Sequence, residues 1–243
     1  MDEARGNRKR SWLRASLAAL VVAGLGAAGV LVSMPEPADA LDAALVRSQV
    51  AKGAPVFVRI FKQESELELW AERGGAHVLV KTYPVCTWSG TLGPKLREGD
   101  RQSPEGFYRV TRERLNPNSR FHLSFNVGFP NAYDRAHGRT GSFLMVHGNC
   151  VSLGCYAMTD AGIEEIYGMV EAALNGGQPS VQVHIFPFRM TDAKMGAHGR
   201  SKWIGFWRNL KQGYDAFETH GRPPEITVEG GVYRVAGVQA GRE

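Results

Sequence analysis

The segment from Met145 to Asp160 constrains the chain more than any other. It reads Met-Val-His-Gly-Asn-Cys-Val-Ser-Leu-Gly-Cys-Tyr-Ala-Met-Thr-Asp. A β-prone run from Phe143 to Val146 leads into His147, Gly148 and Gly154 permit tight turns on both sides of the polar residues, and Thr159 is a helix N-cap candidate. The segment therefore imposes strand, pinned loop and helix in that order, with an imidazole and two thiols inside the loop. A free thiol, with a pKa of about 8.5, is only a few per cent thiolate at neutral pH, so thiol chemistry needs a proton acceptor close by. Cys155 is the candidate nucleophile and His147 the candidate proton acceptor and donor. Two other readings compete. Cys155 and His147 are equally a buried small residue and a hydrogen-bonded polar one, and His147, Cys150 and Cys155 together resemble part of a metal site. The metal reading has neither a paired C-x-x-C nor a fourth ligand, so no metal or cofactor is expected.

The first forty residues have a separate character. Arg5, Arg8, Lys9, Arg10 and Arg14 precede an uncharged run from Ala15 to Met34, and Ala38-Asp39-Ala40 supplies the small-x-small pattern of a signal-peptidase site. Residues 1–40 are thus expected to export the protein to the periplasm. An uncleaved inner-membrane anchor is the competing reading, because twenty apolar residues suffice to cross a bilayer as a helix.

Beyond Ala40, a helix is expected over Leu41 to Gly53, within residues 41–54. Alternating runs at Pro55 to Phe61, Glu66 to Ala71 and Ala76 to Val85 read as a β-meander, and Gly90 to Gly106 as loop. Phe107 to Leu115 and Phe121 to Val127 are expected to pair through Asn116-Pro117-Asn118-Ser119. Gly128 to Gly141 is a long polar loop carrying Asn131, Tyr133, Asp134, Arg135 and His137. Tyr133 and Arg135 are candidates to line a cleft there, the alternative being that these residues knit the loop together. A helix follows Thr159, with Ile163, Ile166, Tyr167, Val170 and Leu174 on one face, and then a strand at Ser180 to Phe186. Met190 to Ser201 reads as irregular. Trp203, Phe206, Trp207 and Leu210 recur at helical spacing, so an amphipathic helix is expected from Lys202 to about Phe217, its stripe packed on the β core rather than on a membrane. A hairpin around Gly230-Gly231 completes the chain.

The elements add up to an α+β domain, mainly β with packed helices. The whole chain of 243 residues carries a formal charge of +5, with basic residues scattered rather than blocked. No aromatic-interleaved basic patch appears, and an exported protein has no access to DNA, so nucleic acid is excluded as a partner.

The motif also resembles a known family. His147-Gly148 followed by Ser152-Leu153-Gly154-Cys155 is similar to the Cys/His signature of the L,D-transpeptidase (YkuD-domain) family, in its YafK-like branch. Gly93-Pro94-Lys95, Ser103 to Tyr108, Gly128 to Gly138 and Gly177 to Val183 extend the resemblance from about residue 55 to 195. It implies a YkuD-like β-sandwich catalytic domain at residues 55–190, with 191–243 as a C-terminal extension. It also implies peptidoglycan as substrate, attacked by Cys155 at meso-diaminopimelate of the stem peptide, with His147 as base. Backbone N–H groups of Gly154 and Cys155 are then the natural oxyanion donors, and Ser152 is a binding candidate better suited to holding the loop. The His-to-Cys spacing is shorter than in most of that family, and Leu153 stands where a second His is usual. The branch is associated with cutting an outer-membrane lipoprotein from diaminopimelate. The alternatives are crosslink formation or lipoprotein attachment, and an inactive peptidoglycan binder. The resemblance also brings the Cys86 segment close to the cleft, leaving Cys86 and Cys150 as either a disulfide or two free thiols.

Overall fold

A computed structural model describes residues 37–236. The basic start and apolar run of the export segment lie outside the described residues.

The first element is a helix, α1 (Pro37–Ser48), which begins earlier and ends earlier than the 41–53 expectation. Three strands follow, β1 (Val56–Phe61), β2 (Glu66–Arg73) and β3 (Ala76–Pro84), pairing as the expected antiparallel meander. They belong to a five-stranded mixed sheet of order β3-β2-β1-β9-β4, completed by β4 (Gly106–Val110) and β9 (Val181–Phe186). All six residues of β1 are buried, because the sheet is covered on both faces. Val56, Val58 and Ile60 join a core with the helix α3 (Asp160–Asn175), while Phe57 and Phe61 point to the other side. There they meet Phe217 and Tyr214 of α5 (Ile204–His220) at ring separations of 4.9 and 6.3 Å.

The second sheet has four strands in the order β5-β6-β7-β8: β5 (Leu115–Ser119), β6 (His122–Asn126), β7 (Met145–His147) and β8 (Tyr156–Ala157). One face, with Phe125, Val146 and Tyr156, lies in the core shared with α3. The other face is where the chemistry-bearing residues fall. Helix α3 begins as expected: the Thr159 hydroxyl accepts from Gly162 N–H at 3.0 Å, and Ile163, Ile166, Tyr167, Val170 and Leu174 are all buried.

Four expectations are corrected. Phe107 to Leu115 is not one strand: a 3₁₀ turn at Arg112–Arg114 divides it, so β4 pairs with β9 in the large sheet while β5 pairs with β6 in the small one. The supposed turn at Asn116 to Ser119 is itself part of β5, an edge strand, where Pro117 lacks only a ladder bond it does not need. The polar loop at 128–141 contains a short helix, α2 (Ala132–Ala136), started by a capping box in which Asn131 and Asp134 exchange side-chain-to-backbone bonds. The fourth correction falls at 190–201, where α4 (Asp192–Ala197) forms behind Thr191 as N-cap.

The aromatic stripe behaves as expected. Phe206, Trp207, Leu210 and Tyr214 are buried in a second core with Phe61, Phe107, Phe186 and Phe188. The closing hairpin, β10 (Ile226–Glu229) and β11 (Val232–Val235), sets Tyr233 into that same core.

Candidate active site

The nucleophile candidate is placed by the parallel pairing of β7 with β8. Val146 stands opposite Tyr156 and His147 opposite Ala157, so extending the register by one residue sets Met145 opposite Cys155. Side chains alternate along a strand, and Val146 and Tyr156 face the core, so Met145, His147 and Cys155 share the opposite face. The contacts agree: the Met145 N–H points at Cys155 Sγ at 3.4 Å, and the thiol points at the Phe143 carbonyl at 3.5 Å. Strand geometry then separates the His147 and Cys155 Cα atoms by about 8 Å, two residues along and one strand across.

His147 is held at its own strand end. Its ring stacks obliquely on Phe121 at 4.6 Å, and Nδ1 donates to the Gly148 carbonyl at 2.6 Å. That bond fixes the proton on Nδ1 and leaves the Nε2 lone pair as the basic site. The turn after it needs glycine at 148, because a Cβ there would lie 2.6 Å from Asp160 Oδ1 and 3.0 Å from the Phe121 carbonyl oxygen. Asp160 Oδ1 also accepts from the Asn149 N–H at 2.8 Å, so the start of α3 clamps the loop.

Cys86 and Cys150 form a disulfide with their Cα atoms 5.1 Å apart. This removes Cys150 from any metal set. Among the described residues no group of three or more His, Cys, Asp or Glu is placed to hold a metal ion. Cys155 remains a free, half-buried thiol. Burial raises its pKa, opposed by the Met145 N–H and by the charge of Lys95, while burial lowers the pKa of His147. Both shifts point to a resting pair of neutral thiol and neutral imidazole rather than a thiolate–imidazolium pair.

The remaining expected residues divide. Ser152 Oγ donates to the Cys155 carbonyl at 2.7 Å, which fits the loop-holding role. The Gly154 amide is not free for an oxyanion: it donates to Ser89 Oγ at 2.6 Å. Among the described residues the Cys155 amide has no such partner, so the oxyanion expectation narrows to Cys155. Tyr133 does not line a cleft with Cys155. It is buried in the aromatic core, stacked on Tyr233 at 4.3 Å and on His137 at 4.3 Å. Arg135 donates to the Pro130 carbonyl at 2.5 Å and borders a different cavity, between β4 and the closing hairpin. The loop-knitting alternative describes both.

Several supporting residues escaped the sequence reading. Ser103 Oγ donates to the Cys155 carbonyl at 3.0 Å and accepts from the Ser89 N–H at 3.1 Å. Behind it, buried Lys62 reaches the carbonyls of Thr91, Gly93 and Ser103 at 2.8, 3.1 and 3.0 Å and pairs with Glu105 at 3.1 Å. A lysine at the end of an apolar strand was the available signal, since full burial of an ammonium requires this kind of cage. Ser124 faces His147 directly across β6 and β7, and its buried hydroxyl has no partner among the described residues.

Residues 55–185 match the YkuD L,D-transpeptidase catalytic domain, and the chain belongs to that family. Membership implies a peptidoglycan substrate. The "Putative L,D-transpeptidase YafK" of Escherichia coli, strains K12 and O157:H7, is 54% identical over 188 residues, covering 77% of this chain and 76% of that protein. Among solved structures, the helical cell shape determining protein Pgp2 of Campylobacter jejuni is similar with a TM-score of 0.44 at 16% identity, over 78% of this chain and 80% of that one. Its K307A mutant aligns with a TM-score of 0.46 at 18% identity, over 76% and 66%.

Proposed function

We propose that the protein is an exported, periplasmic cysteine enzyme that cuts peptidoglycan stem peptides at meso-diaminopimelate through a thioester on Cys155. The observation that carries this reading is the shared sheet face of Cys155 and His147, with the Nδ1 proton of His147 committed to Gly148 and Nε2 left basic. On substrate binding, His147 Nε2 takes the thiol proton as Sγ attacks the carbonyl at the L-centre of diaminopimelate. The Cys155 N–H stabilises the oxyanion, an interaction that typically contributes a few kcal/mol to transition-state stabilisation. Collapse breaks the C–N bond, and the imidazolium protonates the departing amine. Water then attacks the thioester with His147 as base, restoring the thiol and leaving a free carboxylate.

Water is the favoured acceptor in this proposal. Positioning an acceptor amine for attack contributes roughly 7–11 kcal/mol of barrier lowering when the surroundings hold it in place. Here the short loop presents Val151 and Leu153, both exposed, where a polar acceptor site would be needed. We infer that the bond cut is the diaminopimelate–lysine link to an outer-membrane lipoprotein. Purified protein incubated with lipoprotein-modified muropeptides and with tetrapeptide donors tests this: lipoprotein release is expected. New diaminopimelate crosslinks without release would show transpeptidation instead, and inertness toward both would favour the binding protein.

A further inference from the structure

A cleft of about 410 Å³ opens beside the nucleophile and is lined by Phe143 and Met145, the two residues whose backbones touch Cys155 Sγ. Asn126, Asn116, Glu113 and Arg114 line it further along. The strand register pairs Leu115 with Phe125, Asn126 with Met145 and Val146 with Tyr156. Extended by one residue beyond β8, it lays Asn126, Met145 and Cys155 in a single row on the face away from the core, and Arg114, the last residue of the 3₁₀ turn leading into β5, lines the same cleft as Asn126. At about 4.8 Å per strand the row spans roughly 10 Å between the outer Cα atoms.

The two charged residues at the far end differ from their neighbours. Arg109 pairs with Glu225 at 3.0 Å, Arg139 with Asp134 at 2.8 Å, and Arg112 is bonded to Asn175 and to the Leu174 carbonyl. Among the described residues, the Arg114 guanidinium has neither an acidic partner nor a side-chain hydrogen bond. It lies directly over Gly128, where a Cβ would collide with Nη1 and where the backbone has φ +93°. The glycine therefore provides the seat for the guanidinium. Glu113, exposed on the same cleft and hydrogen-bonded to Thr111, adds a carboxylate to its lining.

A guanidinium and a carboxylate lining one cleft match an amino-acid head that carries both an α-carboxylate and an α-ammonium. We propose that Arg114, with Glu113, binds the zwitterionic D-centre of the diaminopimelate residue whose L-centre carbonyl Cys155 attacks, and so determines substrate specificity. The inference rests on the stem-peptide reading above and names which end of the residue lies where. The side chain of diaminopimelate then runs along the row, over Met145 and Asn126.

The test compares a stem peptide containing diaminopimelate with the same peptide containing lysine, which keeps the distal ammonium and lacks the distal carboxylate. The wild-type protein should prefer diaminopimelate by about 10- to 100-fold in kcat/KM, the size of a lost charge-assisted pair, carried mainly by KM. Arg114→Gln should erase that preference, Arg114→Lys should keep part of it, and Arg109→Gln, which breaks a pair outside the cleft, should leave it intact. Melting curves check that each variant folds. Equal use of both peptides by the wild type, or a preference that survives in folded Arg114→Gln, would overturn the assignment. Calorimetric binding of the two peptides to the Cys155→Ala protein separates the two claims. Discrimination in binding without turnover by the wild type would refute the enzymatic reading alone, and turnover without discrimination would refute Arg114 alone.

Discussion

The two sheets of this protein are built to opposite rules. In the five-stranded sheet β1 is buried along its full length, between the aliphatic core under α3 and the aromatic core under α5. In the four-stranded sheet one face is core and the other holds Cys155, His147, Ser124, Asn126 and Met145 in two adjoining rows. The first sheet supplies stability and bears no reacting group; the second presents reacting groups on short strands that its neighbours must steady. Substitutions of the reacting side chains on that face of the small sheet should therefore change chemistry with little change in stability, and substitutions in the large sheet should do the reverse.

The largest effect separating the two regions is expected at the nucleophile. Cys155→Ala should reduce turnover to background while the melting temperature stays close to that of the wild type, and His147→Ala should lower the rate by about 10²- to 10⁴-fold, the usual cost of losing a general base. Steady-state kinetics beside thermal melts check both. Near-normal turnover in either folded variant would remove these residues from the mechanism.

Next comes the aromatic layer. Trp207 is 1% exposed, and its indole N–H donates to Glu105 Oε2 at 2.8 Å. Trp207→Ala should cost about 3–5 kcal/mol in denaturant unfolding. It leaves the Lys62–Glu105 cage without one donor, so the midpoint should fall before any change in the pH dependence of the chemistry is seen. A variant as stable as the wild type would contradict the packing described for this layer.

The difference in legibility between the sheets follows from the same construction. Two-sided burial makes β1 and β9 mostly apolar, interrupted only by Arg59 in one and by Gln182 and His184 in the other, and α3 and α5 show their buried stripes at helical spacing, so these elements could be read from the residues alone. The small sheet offers strands of two to five residues, and its register depends on partners that local pattern does not name. Leu115 was accordingly joined to the wrong strand, because nothing in Thr111 to Arg114 announces a 3₁₀ break. Cys155 and His147 were legible because their chemistry is scarce and their glycines are informative. Ser89, Ser103 and Lys62 were not, since each acts through a contact distant in sequence. Tyr133 was misplaced for the opposite reason: a polar, glycine-rich loop resembles a binding loop until its aromatic ring is seen stacked under Tyr233.

A finer effect concerns protonation on the reactive face. Burial pushes the Cys155 thiol up and the His147 imidazole down. Alkylation of Cys155 by iodoacetamide, which consumes thiolate, should therefore be slow at pH 6 and rise only through and above the ordinary thiol range near 8.5. The acid limb of kcat/KM should fall below the ordinary imidazole value near 6.5, because His147 stays deprotonated to lower pH. Fast alkylation at pH 6 would indicate a thiolate–imidazolium pair instead.

The smallest effect is expected at Ser124. Its hydroxyl is buried without a partner among the described residues, so Ser124→Ala removes an unpaired polar group and should be neutral or slightly stabilising, within about 1 kcal/mol. A clear loss of stability would show that the hydroxyl is bonded in solution.

The most direct measurement is mass spectrometry of the protein quenched in acid during turnover of a diaminopimelate stem peptide, followed by proteolysis and mapping. The account predicts an acyl adduct on the fragment containing Cys155, released on warming at neutral pH and absent from Cys155→Ala. Continued turnover by Cys155→Ala, or an adduct on any other residue, would contradict it.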